Sequence, residues 1–154
     1  MNKTEIKPIR KEVVVNTSQA TAFKTFTQKM DLWWPRTHHI GSTPLTELVL
    51  EPGNDGRWFS RHEDGSEVDI GRVLTWDPDG LLVLAWQING DFKFDPELIT
   101  EVEVRFIPEE AKRTRVMFEH RNLDRLGGTK PVESMDEGWG YIMGLYKDLA
   151  DSGI

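Results

Sequence analysis

Val68-Asp69-Ile70-Gly71-Arg72-Val73-Leu74-Thr75-Trp76-Asp77-Pro78-Asp79-Gly80-Leu81-Leu82-Val83-Leu84-Ala85-Trp86-Gln87-Ile88 reads as two strands and the turn between them. Asp77 to Gly80 supply the turn, because glycine accepts a positive φ and Asp tolerates it. So short a connection joins antiparallel neighbours. The same punctuation recurs on both sides: Pro52-Gly53-Asn54-Asp55-Gly56 and Asp64-Gly65 before, Asn89-Gly90 and Pro108 to Lys112 after. It marks off six strands: Leu45–Glu51, Arg57–His62, Val68–Trp76, Leu81–Ile88, Ile99–Ile107 and Arg113–Arg121. Together they make a meander.

The flanks differ in kind. Ile9–Asn16, rich in Val and Ile, predicts a first strand. Thr17 or Ser18 then offers an N-cap, and Phe23, Phe26 and Met30 follow at helical spacing. Pro35 disfavours helical geometry at Trp34, so this helical region breaks there. At the other end, Leu126-Gly127-Gly128-Thr129 closes the sheet region, and Pro131 suits the first turn of a helix. Glu133, Asp136 and Glu137 have the favourable sign near that positive end. Val132, Met135, Trp139, Ile142, Met143, Tyr146 and Leu149 form one broad apolar face. The expected fold is α+β: a seven-stranded curved antiparallel sheet, two short helices after strand one, and a long C-terminal helix packed across the sheet.

Composition narrows the function classes. One domain over residues 1–154 is the natural expectation at this length. The absence of cysteine excludes disulfides, zinc–thiolate sites and thiol nucleophiles. A net charge of −7 argues against nucleic acid, since phosphate binding needs concentrated Lys and Arg. Arg10-Lys11 and Lys112-Arg113-Thr114-Arg115 read as solvated strand faces. No apolar run approaches membrane-spanning length, and the first six residues lack the apolar core of a secretory leader. The expectation is a cytoplasmic protein with no membrane partner. His38-His39 has no further ligand at metal spacing, and there is no phosphate loop or nucleophile elbow. Neither a metal nor a cofactor is expected, and no catalytic residue is assigned.

What the sequence does hold is six tryptophans, two of them adjacent in Trp33-Trp34-Pro35. Each indole brings a large apolar surface and one N–H that needs a partner when buried. Strand alternation sorts their neighbours. Val116, Phe118 and His120 share an inward face, as do Val102, Val104 and Phe106, and Leu82, Leu84 and Trp86 form a further candidate face. In the second meander strand, Trp58, Ser60 and His62 are inward; Arg57, Phe59 and Arg61 are outward. Strict alternation would put Arg72 inward with Ile70 and Trp76. Arg72 then either neutralises an acidic ligand group, or a bulge shifts the register. His120 is either an inward histidine bonded to backbone or water, or a group that orients a ligand. Gly138 and Gly140 weaken the last helix, suggesting close backbone approach or a lid. Phe92 and Phe94 are candidates for a gate.

The chain resembles the activator of heat-shock protein 90 ATPase homologue 1-like family of the START-like (SRPBCC, birch-pollen-allergen-like) helix-grip superfamily. The resemblance rests on Ala22-Phe23, Phe26-Thr27, Trp33-Trp34-Pro35, Glu51-Pro52-Gly53 and Gly56-Arg57-Trp58. It continues through Gly71 to Pro78, Trp86, Thr114-Arg115-Val116, Glu119-His120-Arg121 and Gly138-Trp139. It implies a hydrophobic cavity between sheet and long helix, of the kind that binds lipids, sterols or polyketides. In eukaryotic activators a second, chaperone-binding domain stands beside a similar one; over 154 residues no such second domain is expected.

The leading expectation is therefore a pocket that binds a small apolar or aromatic, lipid-like molecule without catalysis. Its candidate ligand-binding residues are Trp33, Trp34, Trp58, Arg72, Trp76, Trp86, Phe118, His120, Trp139, Ile142 and Met143. Two alternatives stand beside it: contact with a chaperone or other protein through an exposed apolar patch, and a polyketide cyclase-like enzyme with His120 as general base.

Overall fold

The computed structural model describes residues 6–126 and 130–152. Seven strands form: β1 (Ile9–Val15), β2 (Leu45–Leu50), β3 (Arg57–His62), β4 (Glu67–Asp77), β5 (Leu81–Trp86), β6 (Thr100–Glu110) and β7 (Arg113–Arg121). They make one antiparallel sheet in the order β1-β7-β6-β5-β4-β3-β2. The helices are α1 (Gln19–Gln28), α2 (Met30–Trp33) and α3 (Lys130–Asp151), with a 3-10 turn at Leu123–Leu126. The sheet curls into a half-barrel with α3 packed across it, which is the helix-grip fold. The expected break at Gly127-Gly128-Thr129 lies outside the described residues. Among those described, no helix is long and apolar enough to cross a membrane.

Local chemistry explains where the elements begin and stop. Ser18 caps α1, its Oγ accepting from Thr21 N at 3.2 Å. Trp34, next to Pro35, is extended and ends α2. Arg57–His62 and Arg113–Arg121 keep their expected bounds, and the other five strands shift by one to three residues at one or both ends. β5 stops at Trp86, and Ile88 keeps only an isolated bridge to Phe94. β6 runs on to Glu110, with Pro108 opposite Thr114 at the tip of the hairpin.

Polar contacts fasten helix α3 along its length. Lys11 reaches Asp136 at 2.9 Å from the β1 edge. Lys147 Nζ donates to Val14 O at 2.7 Å, and Asn16 N to Asp151 Oδ1 at 2.8 Å. Tyr146 OH donates to Ala22 O at 2.8 Å, tying α3 to α1. Burial drives the Tyr146 hydroxyl well above the usual phenol range, so it stays a donor.

Cross-strand partners share a face, and this decides the register of β4. Trp58, Gly71 and Trp86 stand in one row on the inner face, while Arg57, Arg72 and Ala85 stand in one row on the outer face. The register shifts between Trp58 and Phe59, where β4 carries Ile70 as an extra residue, and shifts again between Val73 and Thr75. Alternation therefore fails twice within one strand. Arg72 is outside, so the bulge reading is the correct one and no arginine enters the cavity. After the second shift Trp76 faces inward opposite Leu82, with its ring 5.2 Å from Phe23.

The outer face carries the charge. Arg121 meets Glu101, Glu103 and Glu119, Arg115 bridges Glu12 and Glu109, and Arg57 and Arg61 share Glu67. Exposed pairs of this kind contribute about 0–1 kcal/mol each. The basic clusters are part of this solvated lattice. Phe59 lies on the same face yet is buried, because the guanidinium of Arg57 sits 4.0 Å above its ring.

Candidate functional site

A cavity of about 270 Å3, open on one side, lies where α3 leaves the sheet. The sheet contributes Ser60, Ile70, Trp86 and Ile88. Helix α3 contributes Ser134, Met135, Gly138, Trp139 and Ile142. The irregular segment after α2 contributes Trp34 and the run Thr37 to Ile40. Phe92 completes the rim. Asn89 places it, with its Oδ1 accepting from the amides of Asp91 and Lys93, and Phe92 itself takes a left-handed φ of 59°.

Three lining indoles, with Trp58 beneath them, make a closed ring of four. Trp34 contacts Trp58 at 6.0 Å, Trp58 contacts Trp86 at 5.5 Å, Trp86 contacts Trp139 at 5.5 Å, and Trp139 returns to Trp34 at 5.9 Å. All four meetings are edge-to-face, the arrangement the ring quadrupole favours. Trp58 lies deepest, and its Nε1 is buried without a partner. The others lean over the cavity. Trp34 Nε1 donates to His38 O at 2.8 Å, which anchors the segment that closes the third wall.

His120 sits behind this ring in a closed network. Trp139 Nε1 donates to its Nδ1 at 3.1 Å, so Nε2 carries the proton and donates to Thr100 Oγ1 at 2.7 Å. Thr100 passes its own proton to Trp86 O at 3.2 Å. Desolvation pushes His120 down from 6.5 to about 3. The unfolded chain takes up this proton below its ordinary value, while the folded core refuses it until near the lowered one. Stability therefore falls as pH drops between the two, by on the order of 2 kcal/mol from pH 7 to pH 4.5. Urea unfolding of wild type and His120→Gln at both pH values should show this acid loss in the wild type alone. An equal acid loss in the two proteins would mean His120 is not buried neutral.

A second buried histidine borders the cavity. His62 Nε2 lies 2.7 Å from Ser60 Oγ, and its Nδ1 lies 2.9 Å from Thr43 O. The ring of His39 lies 4.9 Å from it. Burial, followed by the nearby His62, lowers the His39 pKa.

Of the eleven candidate ligand-binding residues, Trp34, Trp86, Trp139 and Ile142 line the cavity. The others do not. Trp33 belongs to the core, its Nε1 donating to Thr25 O at 2.9 Å and its ring against Phe26 and Tyr146. Trp58, Phe118 and Met143 are core residues beneath the wall, and Trp76 packs on Phe23 at a distance from it. Arg72 is on the outer face. His120 is held by protein on both nitrogens, which takes it away from the role of general base or ligand contact. Much of the space assigned to a ligand is thus filled by the indoles themselves. Gly138 makes no close approach: a Cβ built there meets nothing within 4 Å. Phe92 lines the rim, whereas Phe94 pairs with Ile88.

Sequence reasoning missed Thr37, His38, His39 and Ile40, which follow no periodicity. Ser60 was legible as inward. Its pairing with His62 was not.

Known proteins show the same architecture. The family described as activator of Hsp90 ATPase homolog 1-like protein matches residues 16–149. Among solved structures, the chain is 33% identical to the self-sacrificing resistance protein CalC from Micromonospora echinospora, with 95% of each chain covered and a TM-score of 0.69. It is 32% identical to the anthrahydroquino-gamma-pyrone synthase Txn09, covering 95% of this chain and 88% of that one at a TM-score of 0.60. The Aha1 dimer from Colwellia psychrerythraea, at 14% identity and a TM-score of 0.68 over 95% and 97% of the two chains, shares the fold. No curated protein matches the chain. With a family match across most of its length and two relatives above 30% identity, the chain belongs to the activator of Hsp90 ATPase homolog 1-like family.

Proposed function

We propose that this protein binds one small flat aromatic molecule in the cavity between α3 and the sheet, with no catalysis required. The observation that carries the reading is the cavity of about 270 Å3 walled by Trp34, Trp86 and Trp139. Its size is just below the roughly 300 Å3 at which ordinary ligand pockets begin, which suits two or three fused rings better than a sterol. Burying ~200 Å2 of apolar ligand contributes roughly 5 kcal/mol, and edge and stacking contacts with the three indoles offset part of the association cost, so affinity near the millimolar range is expected. The names of two relatives at about one-third identity support it: one is a synthase of a polycyclic aromatic product, the other a resistance protein. The chaperone-contact reading needs a contiguous apolar patch. Of the exposed large apolar residues among those described, Leu32, Phe92, Ile107, Met117 and Tyr141, Ile107 and Met117 lie on paired strands, where Arg115 and Arg105 stand opposite them.

The test uses the open space beside Gly138. Titrating the protein with anthraquinone, flavone, a fatty acid and a sterol should give saturable quenching of tryptophan fluorescence with the first two only. Gly138 lines the cavity and a Cβ there meets nothing within 4 Å, so Gly138→Leu should weaken that binding at least about tenfold while leaving the melting temperature unchanged or raised. If none of the four compounds saturates, or if Gly138→Leu binds as well as wild type, the pocket is not the binding site.

A further inference from the structure

Resting on that reading, the polar corner of the cavity specifies which aromatic molecules fit. Ser60 is only 1% exposed yet forms part of the wall. Thr43 O, 2.9 Å from His62 Nδ1, can only accept, so Nδ1 carries the ring proton. In the neutral ring Nε2 is then an acceptor, and the Ser60 hydroxyl 2.7 Å away donates to it. The second atom near that proton, Val68 O at 3.4 Å, is an acceptor too. Ser60 therefore spends its single proton on the protein whichever way the hydroxyl turns. Its oxygen keeps lone pairs to which no described residue donates. His62 is not free to swing away, because a Cβ built at Gly41 would lie 2.5 Å from Nε2 and 2.6 Å from Nδ1.

We infer that the cavity selects hydroxyarenes: the ring system sits among Trp34, Trp86 and Trp139, and a phenolic O–H donates to Ser60 Oγ. The donations then run in one direction, from ligand to Ser60, Ser60 to His62 and His62 to Thr43 O, each bond polarising the next. A ligand whose only polar atom is an ether or ketone oxygen faces another acceptor there and gains nothing. An aromatic with no donor makes no bond to Ser60, whose hydroxyl keeps His62 as its partner, and simply lacks the net free energy of that hydrogen bond.

Equilibrium dialysis of the full chain against three probes tests this: 1-naphthol can donate, 1-methoxynaphthalene can only accept, and naphthalene can do neither. The expected result is that 1-naphthol binds about tenfold tighter than either of the others. In Ser60→Ala that preference should vanish while naphthalene affinity stays as in wild type. Equal binding of 1-naphthol and 1-methoxynaphthalene to wild type overturns the inference and leaves the aromatic pocket standing. So does a preference that survives in Ser60→Ala. If none of the three binds, the pocket reading falls and takes this one with it. The wild-type comparison carries the test by itself if Ser60→Ala does not fold.

Discussion

Trp139→Ala should lower folding stability by about 4 kcal/mol, close to half of what a domain of this kind possesses. The residue is 3% exposed and touches Trp34, Trp86, Phe118 and His120, the Phe118 ring at 4.5 Å. Truncation opens a void that the neighbouring indoles cannot close, since each is held by its own edge-to-face contacts. It also removes the donor to His120 Nδ1, leaving a buried acceptor unpartnered. Trp139→Phe separates the two contributions. It keeps a ring in place but not the N–H, and its loss should be about 2 kcal/mol. Urea unfolding at neutral pH reads both. A loss below about 1 kcal/mol for the alanine variant would mean that the indole ring is not packed as described. Because Trp139 is also a wall of the cavity, the same variant should lose aromatic ligand binding, whereas Gly138→Leu loses binding without losing stability.

Gly71→Ala should be as damaging through a single methyl group. Gly71 stands between Trp58 and Trp86 in the inner row, next to the extra residue that turns Arg72 outward. A Cβ there overlaps the carbonyl oxygen of Ala85 and lies 2.8 Å from its carbonyl carbon. Both are backbone atoms of the neighbouring strand, so no side-chain rotation relieves the clash. Either β5 moves away from β4 or the bulge is lost. The second outcome would bring Arg72 toward the apolar side. We expect a loss above about 3 kcal/mol, or failure to accumulate folded protein. Gly53→Ala is the control for glycine replacement in general. Its φ of 92° makes the change costly, but a Cβ there meets nothing within 4 Å, so the loss should be about 1 kcal/mol. If Gly71→Ala costs no more than Gly53→Ala, the close approach of β4 and β5 is not present in solution.

The strands differ in how much of this was open to sequence reasoning. Arg113–Arg121 alternates without interruption, and its residues lie as alternation places them: Val116, Phe118 and His120 inside, Arg115, Glu119 and Arg121 in the outer ion-pair lattice. β4 defeats the same rule because two register shifts within eleven residues reset the parity, and nothing in Val68 to Trp76 announces them except Gly71. Phe59 shows a different failure. It is outward as expected, yet buried, since two arginines with apolar stems lie over it. At the site, Trp34, Trp86, Trp139 and Ile142 were legible as large apolar groups on inward faces. Thr37 to Ile40 were not, because an irregular segment carries no period to read.

Turn chemistry, an N-cap, a proline break and one long apolar stripe are local features, and they determined by themselves the seven strands, the helices and the grip of sheet on helix. Depth is not local. Which indoles fill the core and which border a void depends on how closely α3 approaches a twisted sheet. That distance is set jointly by side chains far apart in the chain. Only the tertiary structure therefore decided that His120 is a buried, neutral member of the core and that Arg72 faces solvent. It alone also brought Ser60, His62 and Thr43 into one chain of hydrogen bonds at the edge of the cavity.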